Sequence, residues 1–280
     1  MSVVITKQSG ERAPFSKESL RRSLINSGAD KEDADRICDQ IEQEIYNGIS
    51  TKELYEKAFK LLKKIRSSIA ARYSLKRALQ RLGPDGFYFE KWVAKIFEVQ
   101  GNDTVTSQTL IGKSSVSHEV DVVISNKETD IVCECKFRND IDAKISVTTP
   151  MYFLSRFNDL KGKEFTFFNR PFKPVRGYLI TNAFFTTDSI AFAECYHINL
   201  ISWNYPEDHS IKRLTDRQGL YPVTCLTKLT KKEEQILLSK NCILVRELVK
   251  NPVLLDHFKF TEKRKAIILK EANELLSMTK

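Results

Sequence analysis

The stretch SHEVDVVISNKETDIVCECKF, residues 117–137, has the composition of two adjacent β-strands joined by a turn. Residues 119–124 and 131–137 are rich in Val, Ile and Cys, and residues 126–129 between them are polar. Apolar runs of this length around a short polar turn are typical of an antiparallel hairpin. These strands are therefore predicted to lie at the centre of a sheet. They also contain an Asp, a Glu and a Lys, which are unusual in buried strands.

The register of this hairpin decides where the charged side chains point. In a symmetric pairing Ile124 faces Ile131, and Asp121 then faces Glu134. Because side chains alternate between the two faces of a strand, Lys136 shares a face with both carboxylates. The opposite face is predicted to hold Val120, Val122, Cys133 and Cys135.

Two facing carboxylates need a positive partner. At a separation of about 5 Å they repel each other by about 3 kcal/mol at an effective dielectric constant near 20. Mg²⁺ would offset this repulsion, because it prefers oxygen ligands and often combines one or two carboxylates with a substrate phosphate. The Lys136 ammonium could then stabilise an attacking water or the phosphoryl oxygens. The alternative is a hairpin whose polar face merely meets solvent, with Glu134 and Lys136 a coincidental pair.

A helix predicted over about 87–100 brings a third carboxylate near these strands. At 100° per residue, Glu90 lies about 20° from Phe97, at the edge of the apolar stripe. Glu90 either extends to solvent or points into a polar site. The stripe itself consists of Phe89, Trp92, Val93, Ile96 and Phe97.

Charge and cysteine content favour a polyanion partner and a reducing compartment. The 280 residues carry a net charge of +9, distributed as +6 over 1–82, −2 over 83–215 and +5 over 216–280. Basic flanks suit a polyanion, although lysines that only keep helices soluble explain the charge as well. Six scattered cysteines without a C-x-x-C pair, no signal-peptide pattern and no membrane-length apolar run predict a cytoplasmic protein that is not in a membrane.

Turn signals divide the chain into three predicted domains, 1–84, 85–215 and 216–280, with the clearest break at Gly83-Pro84-Asp85-Gly86. The first domain opens with a strand pair and the last is all helix. The middle domain alternates strands and helices, which predicts an α/β fold. Outside the segments above, further helices are predicted over about 16–27, 66–82, 149–160 and 188–197. Others are predicted to begin at Asp30, Ser50, Thr230 and Thr261. Further strands are predicted over 177–181 and 199–203.

The middle domain resembles the PD-(D/E)XK nuclease superfamily, and within it the Mrr-like restriction endonucleases. The resemblance rests on Glu90 in a helix, then Asp121, then Glu134-Cys135-Lys136. GYLITNAFFTTDSIAFAECYHINLISW, residues 177–203, is similar to the strand, helix and strand that end the core of that branch. The resemblance covers about 87–205 and implies a restriction-endonuclease-like mixed sheet with flanking helices.

The resemblance also implies roles for individual residues. Asp121 and Glu134 would bind Mg²⁺ or Mn²⁺, with the Cys135 carbonyl as a third ligand. Lys136 would be the catalytic lysine and Glu90 a supporting carboxylate. The implied reaction is hydrolysis of a DNA phosphodiester.

The residues before Asp121 depart from the family pattern. His118-Glu119-Val120 stands where the nominal motif has a proline, at a position that varies in the superfamily. His118 is either a group that orients water or a bystander.

The first domain resembles the ATP-cone domain of allosteric ribonucleotide reductases and of their nucleotide-sensing repressors. The resemblance rests on VVITKQSGERAPFSKESLRRSL (3–24), NGISTKELYEKAFKLL (47–62) and AARYSLKRAL (70–79). It implies a β-hairpin plus four helices that bind an adenine nucleotide, ATP or dATP. Positive charge around a helix N-terminus suits its phosphates. The residues expected at the nucleotide are Lys7, Gln8, Arg12, Lys17, Arg21 and Thr51.

The first domain also departs from its family pattern. Lys7-Gln8-Ser9-Gly10 replaces the usual Lys-Arg-Asp-Gly, Ala13-Pro14-Phe15-Ser16 replaces Glu-Pro-Phe-Asp, and Ser19 replaces a lysine. The alternative to nucleotide binding is a cone retained for oligomerisation or for docking to DNA.

The last domain is similar to a helix-hairpin-helix module. The similarity rests on LTKLTKKEEQILLSKNCILVRELVKNP (226–252), in which Asn241-Cys242 stands where a hairpin glycine is usual. Its basic residues are candidates for phosphate contacts, although a solvated lysine face explains them nearly as well. They are Lys228, Lys231, Lys232, Lys263, Arg264 and Lys265.

These observations predict a Mg²⁺- or Mn²⁺-dependent DNA endonuclease of the restriction type, regulated by ATP or dATP and assembled as a homodimer or higher oligomer. The predicted fold class is α/β, with a mostly helical N-terminal ATP cone and a small helical C-terminal domain. Two alternatives stay open. One is a non-catalytic, ATP-sensing DNA-binding regulator, and the other is an RNase or junction resolvase on the same fold.

Overall fold

A computed structural model describes residues 3–7, 10–83, 86–126 and 128–279. The chain divides into two units, one formed by residues 1–78 together with 221–280 and the other by residues 79–220. The two ends of the chain therefore belong to the same unit. Within the described ranges, no helix is long and apolar enough to cross a membrane.

The first unit opens with the predicted hairpin and helices. Ser16, Asp30 and Ser50 each begin a helix, because their side chains accept the backbone amide three residues further on. The elements are β1 (Val4–Thr6), β2 (Arg12–Pro14), α1 (Lys17–Asn26), α2 (Lys31–Glu44), α3 (Thr51–Ile65), α4 (Ser67–Tyr73) and α5 (Leu75–Gln80).

The helix predicted over 66–82 is in fact two helices, α4 and α5. Ser74 lies between them, and its hydroxyl donates to the Ala71 carbonyl at 2.8 Å. A serine that bonds the preceding turn competes with the regular helical hydrogen bonds. This local competition, which the apolar pattern does not reveal, accounts for the break.

Strands and helices alternate in the second unit, as predicted, and the predicted elements end within two residues of the observed ones. The helices are α6 (Phe87–Glu98), α7 (Thr148–Leu160), α8 (Thr187–Cys195) and α9 (Ile211–Gln218). The strands are β3 (Asp103–Ile111), β4 (Ser117–Ser125), β5 (Asp130–Cys135), β6 (Lys144–Ile145), β7 (Phe165–Phe167), β8 (Arg170–Phe172), β9 (Arg176–Ile180), β10 (Phe184–Phe185) and β11 (Asn199–Ile201).

Five of these strands form a mixed sheet in the order β11-β9-β5-β4-β3. The pairs β3–β4 and β4–β5 are antiparallel, and β5–β9 and β9–β11 are parallel. Ile124 pairs with Ile131, as predicted, but the pairing of β4 with β5 ends at Val122 and Cys133 and does not include the predicted pair of Asp121 with Glu134. Strand β3, with the sequence DTVTSQTLI, was not predicted because only three of its nine residues are apolar; it pairs with β4 along its length.

Helices cover both faces of the sheet. Phe97 of α6 packs edge-to-face on Tyr178, with ring centroids 5.5 Å apart. Phe153 of α7 packs with Leu179 in a buried cluster. Tyr178 and Leu179 are consecutive residues of β9 and so point to opposite faces.

Val120 does not lie on the predicted face. It belongs to the same buried cluster as Val123 and Val132, whereas strict alternation would place Val120 and Val123 on opposite faces. On the neighbouring strand, Ser107 adopts a left-handed conformation with φ of 55° between two regular pairs. The strand geometry is therefore irregular beside Asp121, and the alternation is interrupted there.

The C-terminal helices complete the first unit. Thr230 and Glu233 form the predicted capping box, and Asn241 takes a left-handed φ of 60° where a hairpin glycine is usual. Met278 packs against the buried cluster that contains Leu24 of α1. The helices are α10 (Lys231–Ser239), α11 (Val245–Lys250) and α12 (Glu262–Ser277).

Candidate functional site

Asp121 lies directly beyond the last backbone pair of β4 with β5, and its side chain makes the next contact between the two segments. The paired residues run from Ser125 and Asp130 to Val122 and Cys133. Beyond them, the Cys135 amide donates to Asp121 Oδ2 at 2.6 Å. The Asp121 carboxylate thus accepts a hydrogen bond where a backbone carbonyl would otherwise do so, and this contact fixes its position.

Glu134 is a buried carboxylate, 4% exposed, with a cationic partner at each oxygen. Lys136 Nζ donates to Oε1, and Arg156 Nη1 donates to Oε2 at 2.7 Å. These two charged donors compensate the loss of water around the carboxylate. The predicted neighbours Glu134 and Lys136 are therefore together, as an ion pair.

Arg156 is the member of the site that sequence reasoning missed. Its Nη2 donates to the Glu119 carbonyl of β4, while its Nη1 holds Glu134 of β5. A signal for it was present, because Arg156 lies three residues after Phe153 and one before Phe157, on the apolar stripe of α7. An arginine in such a stripe indicates a buried ionic partner.

Glu90 of α6 belongs to the same electrostatic cluster. Burial, followed by the negative charge of Asp121, raises the pKa of Glu90 to about 7. Ser107 Oγ donates to Glu90 Oε2 at 3.4 Å. Burial and the negative charge of Glu134 raise the pKa of Asp121 to about 6. Of the two alternatives for Glu90, the polar site fits, because the charge of Asp121 contributes to its raised pKa and Ser107 donates a hydrogen bond to its carboxyl group.

The donor chemistry of this cluster suits a hard cation, because Mg²⁺ prefers carboxylate oxygens, and the charges of Asp121 and Glu134 contribute to the raised pKa of a neighbouring carboxyl group. Within the described residues, however, His, Cys, Asp and Glu side chains form no group of three or more arranged to hold a metal ion. Two observations account for this. Lys136 and Arg156 already engage Glu134, and the third ligand predicted, at Cys135, is a backbone carbonyl.

His118 has a partner outside this cluster. Its Nε2 lies 2.6 Å from Asp159 Oδ2, at the end of α7. The Ser114 hydroxyl and His118 lower the pKa of Asp159 to about 2. His118 therefore joins the β3–β4 hairpin to α7, which agrees with the bystander role.

Two of the residues expected at the nucleotide are engaged with α2. Lys17 Nζ lies 2.7 Å from carboxylate oxygens of Asp39 and of Glu42, and Arg21 pairs with Asp35. The hydrogen bonds that Lys17 donates to Asp39 and Glu42 raise the pKa of Lys17. A phosphate would have to compete with α2 for both cations.

The other residues expected at the nucleotide lie near the hairpin. Lys7 pairs with Glu11 at 3.0 Å, Arg12 is exposed on β2, and Thr51 is the first residue of α3. Thr6 and the residue before Thr51 form a β-bridge, so the hairpin contacts the start of α3. Gln8 lies outside the described residues.

Two of the six basic candidates in the C-terminal segment are in ion pairs. Arg264 Nη2 lies 2.8 Å from Glu233, and Lys265 Nζ lies 2.6 Å from Asp256 and 2.8 Å from Glu262. These contacts bind neighbouring helices and turns together, so both side chains have a structural role.

Comparison with known proteins identifies both ends of the chain. Residues 3–82 match the ATP cone domain, which confirms the predicted N-terminal domain and suggests nucleotide-sensing regulation. Residues 221–276 match the family described as AF1548-like, C-terminal.

Relatives extend the similarity further along the chain. An uncharacterized protein of Archaeoglobus fulgidus is 30% identical over 157 residues, which is 56% of this chain and 83% of that protein. The crystal structure of AF1548, a protein of unknown function, has a TM-score of 0.55 at 27% identity and covers 68% of this chain and 98% of its own. VC1899 from Vibrio cholerae, at 18% identity and a TM-score of 0.32 over 49% of this chain and 34% of its own, is too distant to support an argument. The chain therefore belongs to the AF1548-like family and carries an ATP cone domain at its N-terminus.

Proposed function

We propose that the chain is a divalent-metal-dependent DNA endonuclease controlled by an adenine nucleotide at its ATP cone domain. One observation carries the proposal: on two adjacent strands, Asp121 accepts from the Cys135 amide and Glu134 accepts from Lys136 Nζ, and the charge of Glu134 contributes to the raised pKa of Asp121 as that of Asp121 contributes to the raised pKa of Glu90. Buried carboxyl groups whose pKa values are raised by neighbouring charges are more frequent at functional sites than elsewhere.

The residues of the cluster divide the work of hydrolysis. A divalent cation held by Asp121, Glu134 and the Cys135 carbonyl would supply Lewis acidity and a more acidic water. The Cys135 amide orients Asp121 Oδ2. Lys136 Nζ would leave Glu134 and donate to a phosphate oxygen, where it offsets the charge that develops in the transition state.

Glu90 is suited to hold a proton in this reaction. Its pKa of about 7 means that the carboxyl group is partly protonated near neutral pH. A group with a pKa near the working pH can both accept and return a proton. Glu90 would therefore take a proton from the attacking water as the phosphodiester opens.

DNA is the proposed substrate because of the resemblance of residues 87–205 to Mrr-like nucleases and because the chain carries a net charge of +9. The ATP cone domain at 3–82 supplies the proposed control. Homodimeric or higher assembly, which would allow paired breaks, belongs to the same proposal.

Plasmid cleavage tests the proposal. Supercoiled plasmid is incubated with Mg²⁺ or Mn²⁺ and with the wild-type protein, Asp121→Ala, Lys136→Ala or Lys173→Ala. Lys173 pairs with Glu164 on the surface and serves as the matched control. We expect cutting by the wild type and the control only. Equal cutting by all four proteins would indicate a contaminating nuclease and contradict the assignment.

A second candidate is a nucleotide-sensing DNA-binding regulator that does not cut. It is favoured by the pairing of both Glu134 oxygens with Lys136 and Arg156, which would leave the site self-neutralised. It predicts a gel shift of plasmid fragments that responds to ATP, without nicking in Mg²⁺ or Mn²⁺. Labelled RNA and four-way junctions in the same assay separate an RNase or a junction resolvase from a DNase.

A further inference from the structure

Arg156 connects the two strands that carry the carboxylates. Its Nη1 donates to Glu134 Oε2 on β5 at 2.7 Å, and its Nη2 donates to the Glu119 carbonyl on β4. Glu119 lies two residues before Asp121 on β4. One guanidinium therefore sets where Glu134 stands relative to the strand that carries Asp121.

The surroundings hold the guanidinium in place. Its side chain is 15% exposed, and its carbon lies 5.5 Å from the centroid of the Tyr152 ring one turn earlier on α7. Arg156 also borders an open cavity of about 610 Å³ that includes Ser155 and Ser117. The planar fork of arginine can serve a carboxylate and a carbonyl together, which a lysine ammonium does less well.

We propose, resting on the function proposed above, that Arg156 is a positioning residue that orients Glu134 and whose charge opposes a divalent cation at the same carboxylate. Two consequences follow, and they have opposite signs. Removal of the charge strengthens cation binding, since Glu134 then keeps only Lys136 as a cationic partner. Removal of the fork slows hydrolysis, since Glu134 is no longer held relative to Asp121.

Arg170 offers a matched control in the same unit. Its Nη2 donates to Asp103 Oδ2 and its Nη1 to the Asn126 carbonyl, each at 3.1 Å. Like Arg156, it joins a carboxylate to a backbone carbonyl on a different element. Neither of its partners belongs to the carboxylate cluster.

The test uses the full-length chain in four forms: wild type, Arg156→Gln, Arg156→Lys and Arg170→Gln. Isothermal titration with MnCl₂ measures cation affinity without substrate, and single-turnover cleavage of plasmid at saturating Mn²⁺ measures the rate. For Arg156→Gln we expect the Kd for Mn²⁺ to fall about tenfold and the rate to fall at least about tenfold. For Arg156→Lys we expect a near-wild-type Kd with a reduced rate, and for Arg170→Gln no change in either.

A decrease in both affinity and rate for Arg156→Gln would mean a purely structural role and overturn the inference. So would an unchanged Kd, or a wild type that binds no Mn²⁺. If Arg156→Gln fails to fold, Arg156→Lys decides: a wild-type rate overturns the inference and a reduced rate at unchanged Kd supports it. A wild type that binds Mn²⁺ but cuts nothing defeats the nuclease proposal and the orienting role of Arg156, and the titration still decides whether the charge of Arg156 opposes cation binding.

Discussion

The Cys135 amide of β5 donates to Asp121 Oδ2 of β4 at 2.6 Å, so that a side chain completes the pairing of two central strands. The same carboxyl group has a pKa raised to about 6 by burial and by Glu134. Asp121 therefore stabilises the fold as a hydrogen-bond acceptor, whereas its buried negative charge destabilises the fold. This dual role makes the site accessible to stability measurements as well as to assays of activity.

Substitutions at Asp121 separate these two effects. Asp121→Asn keeps an oxygen for the Cys135 amide and removes the charge, so we expect a free energy of unfolding at pH 7 equal to or above that of the wild type. Asp121→Ala leaves a buried amide without its acceptor, which costs about 1–3 kcal/mol. Urea unfolding of both variants measures the difference. Equal stability of the two would show that the hydrogen bond contributes nothing.

The raised pKa of Glu90 predicts a pH-dependent stability. The ordinary pKa of a glutamate is about 4.3, and the folded value is about 7. The folded state therefore binds the Glu90 proton more tightly, so the contribution of Glu90 to stability is largest below about pH 4.3 and is lost as pH rises through about 7. Glu90→Gln removes this loss. Because the group is half-exposed, we expect a gain on the order of 1 kcal/mol at pH 8 and none near pH 4.5.

Thermal unfolding across this pH range measures the effect of Glu90→Gln. Glu164→Gln is the control, since Glu164 is an exposed carboxylate paired with Lys173 in the same unit. A gain for Glu90→Gln that does not change with pH would mean that packing, rather than charge, is responsible.

Two glycines test how the C-terminal segment packs in the first unit. Gly28 and Gly48 both have left-handed backbones, with φ of 99° and 90°. An added Cβ at Gly28 would lie 2.5 Å from Met278 Cε, whereas at Gly48 it meets no described atom within 4 Å. We expect Gly48→Ala to cost about 1–2 kcal/mol through backbone strain alone, and Gly28→Ala to cost slightly more, because the methyl group at the end of the flexible Met278 side chain must also shift.

The double variant Gly28→Ala/Met278→Ala measures the extra cost at Gly28. If Met278 packs on this turn, the two substitutions couple in a double-mutant cycle and the second relieves part of the first. Additive effects in urea unfolding would contradict the contact between the last residues of the chain and α1.

Nucleotide binding at the cone is testable through stability. ATP at about 100 times its Kd is expected to raise the free energy of unfolding by about 2.7 kcal/mol, through preferential binding to the folded state. Arg12 is exposed on β2, so we expect Arg12→Ala to remove most of the shift. Lys17 is held by Asp39 and Glu42, so Lys17→Ala should lower stability without ATP and leave most of the shift. If Lys17→Ala removed most of the ATP-induced shift and Arg12→Ala left it, the phosphates would lie at α1 rather than at the hairpin.

Much of the fold follows from short-range patterns. Helix starts at Ser16, Asp30 and Thr230 were predictable because a capping side chain satisfies amides within three residues of it. The register that pairs Ile124 with Ile131 was predictable because the turn is short. Strand β3 was not predicted, because its β-branched residues are mostly threonine and do not form an apolar run.

The candidate site also has one part that the sequence predicts and one part that only the tertiary structure shows. Alternation along one extended segment is enough to place Glu134 near Lys136, because Lys136 directly follows strand β5 and lies two residues after Glu134. The contacts of Arg156 with Glu134 and Glu119 join three elements far apart in sequence, and the irregular strand at Ser107 and Val120 depends on pairing between strands. Local patterns record which side chains a segment presents, whereas long-range packing sets which charges meet in a low-dielectric interior. Burial in that interior, followed by the charges that meet there, raises the pKa values of Asp121 and Glu90.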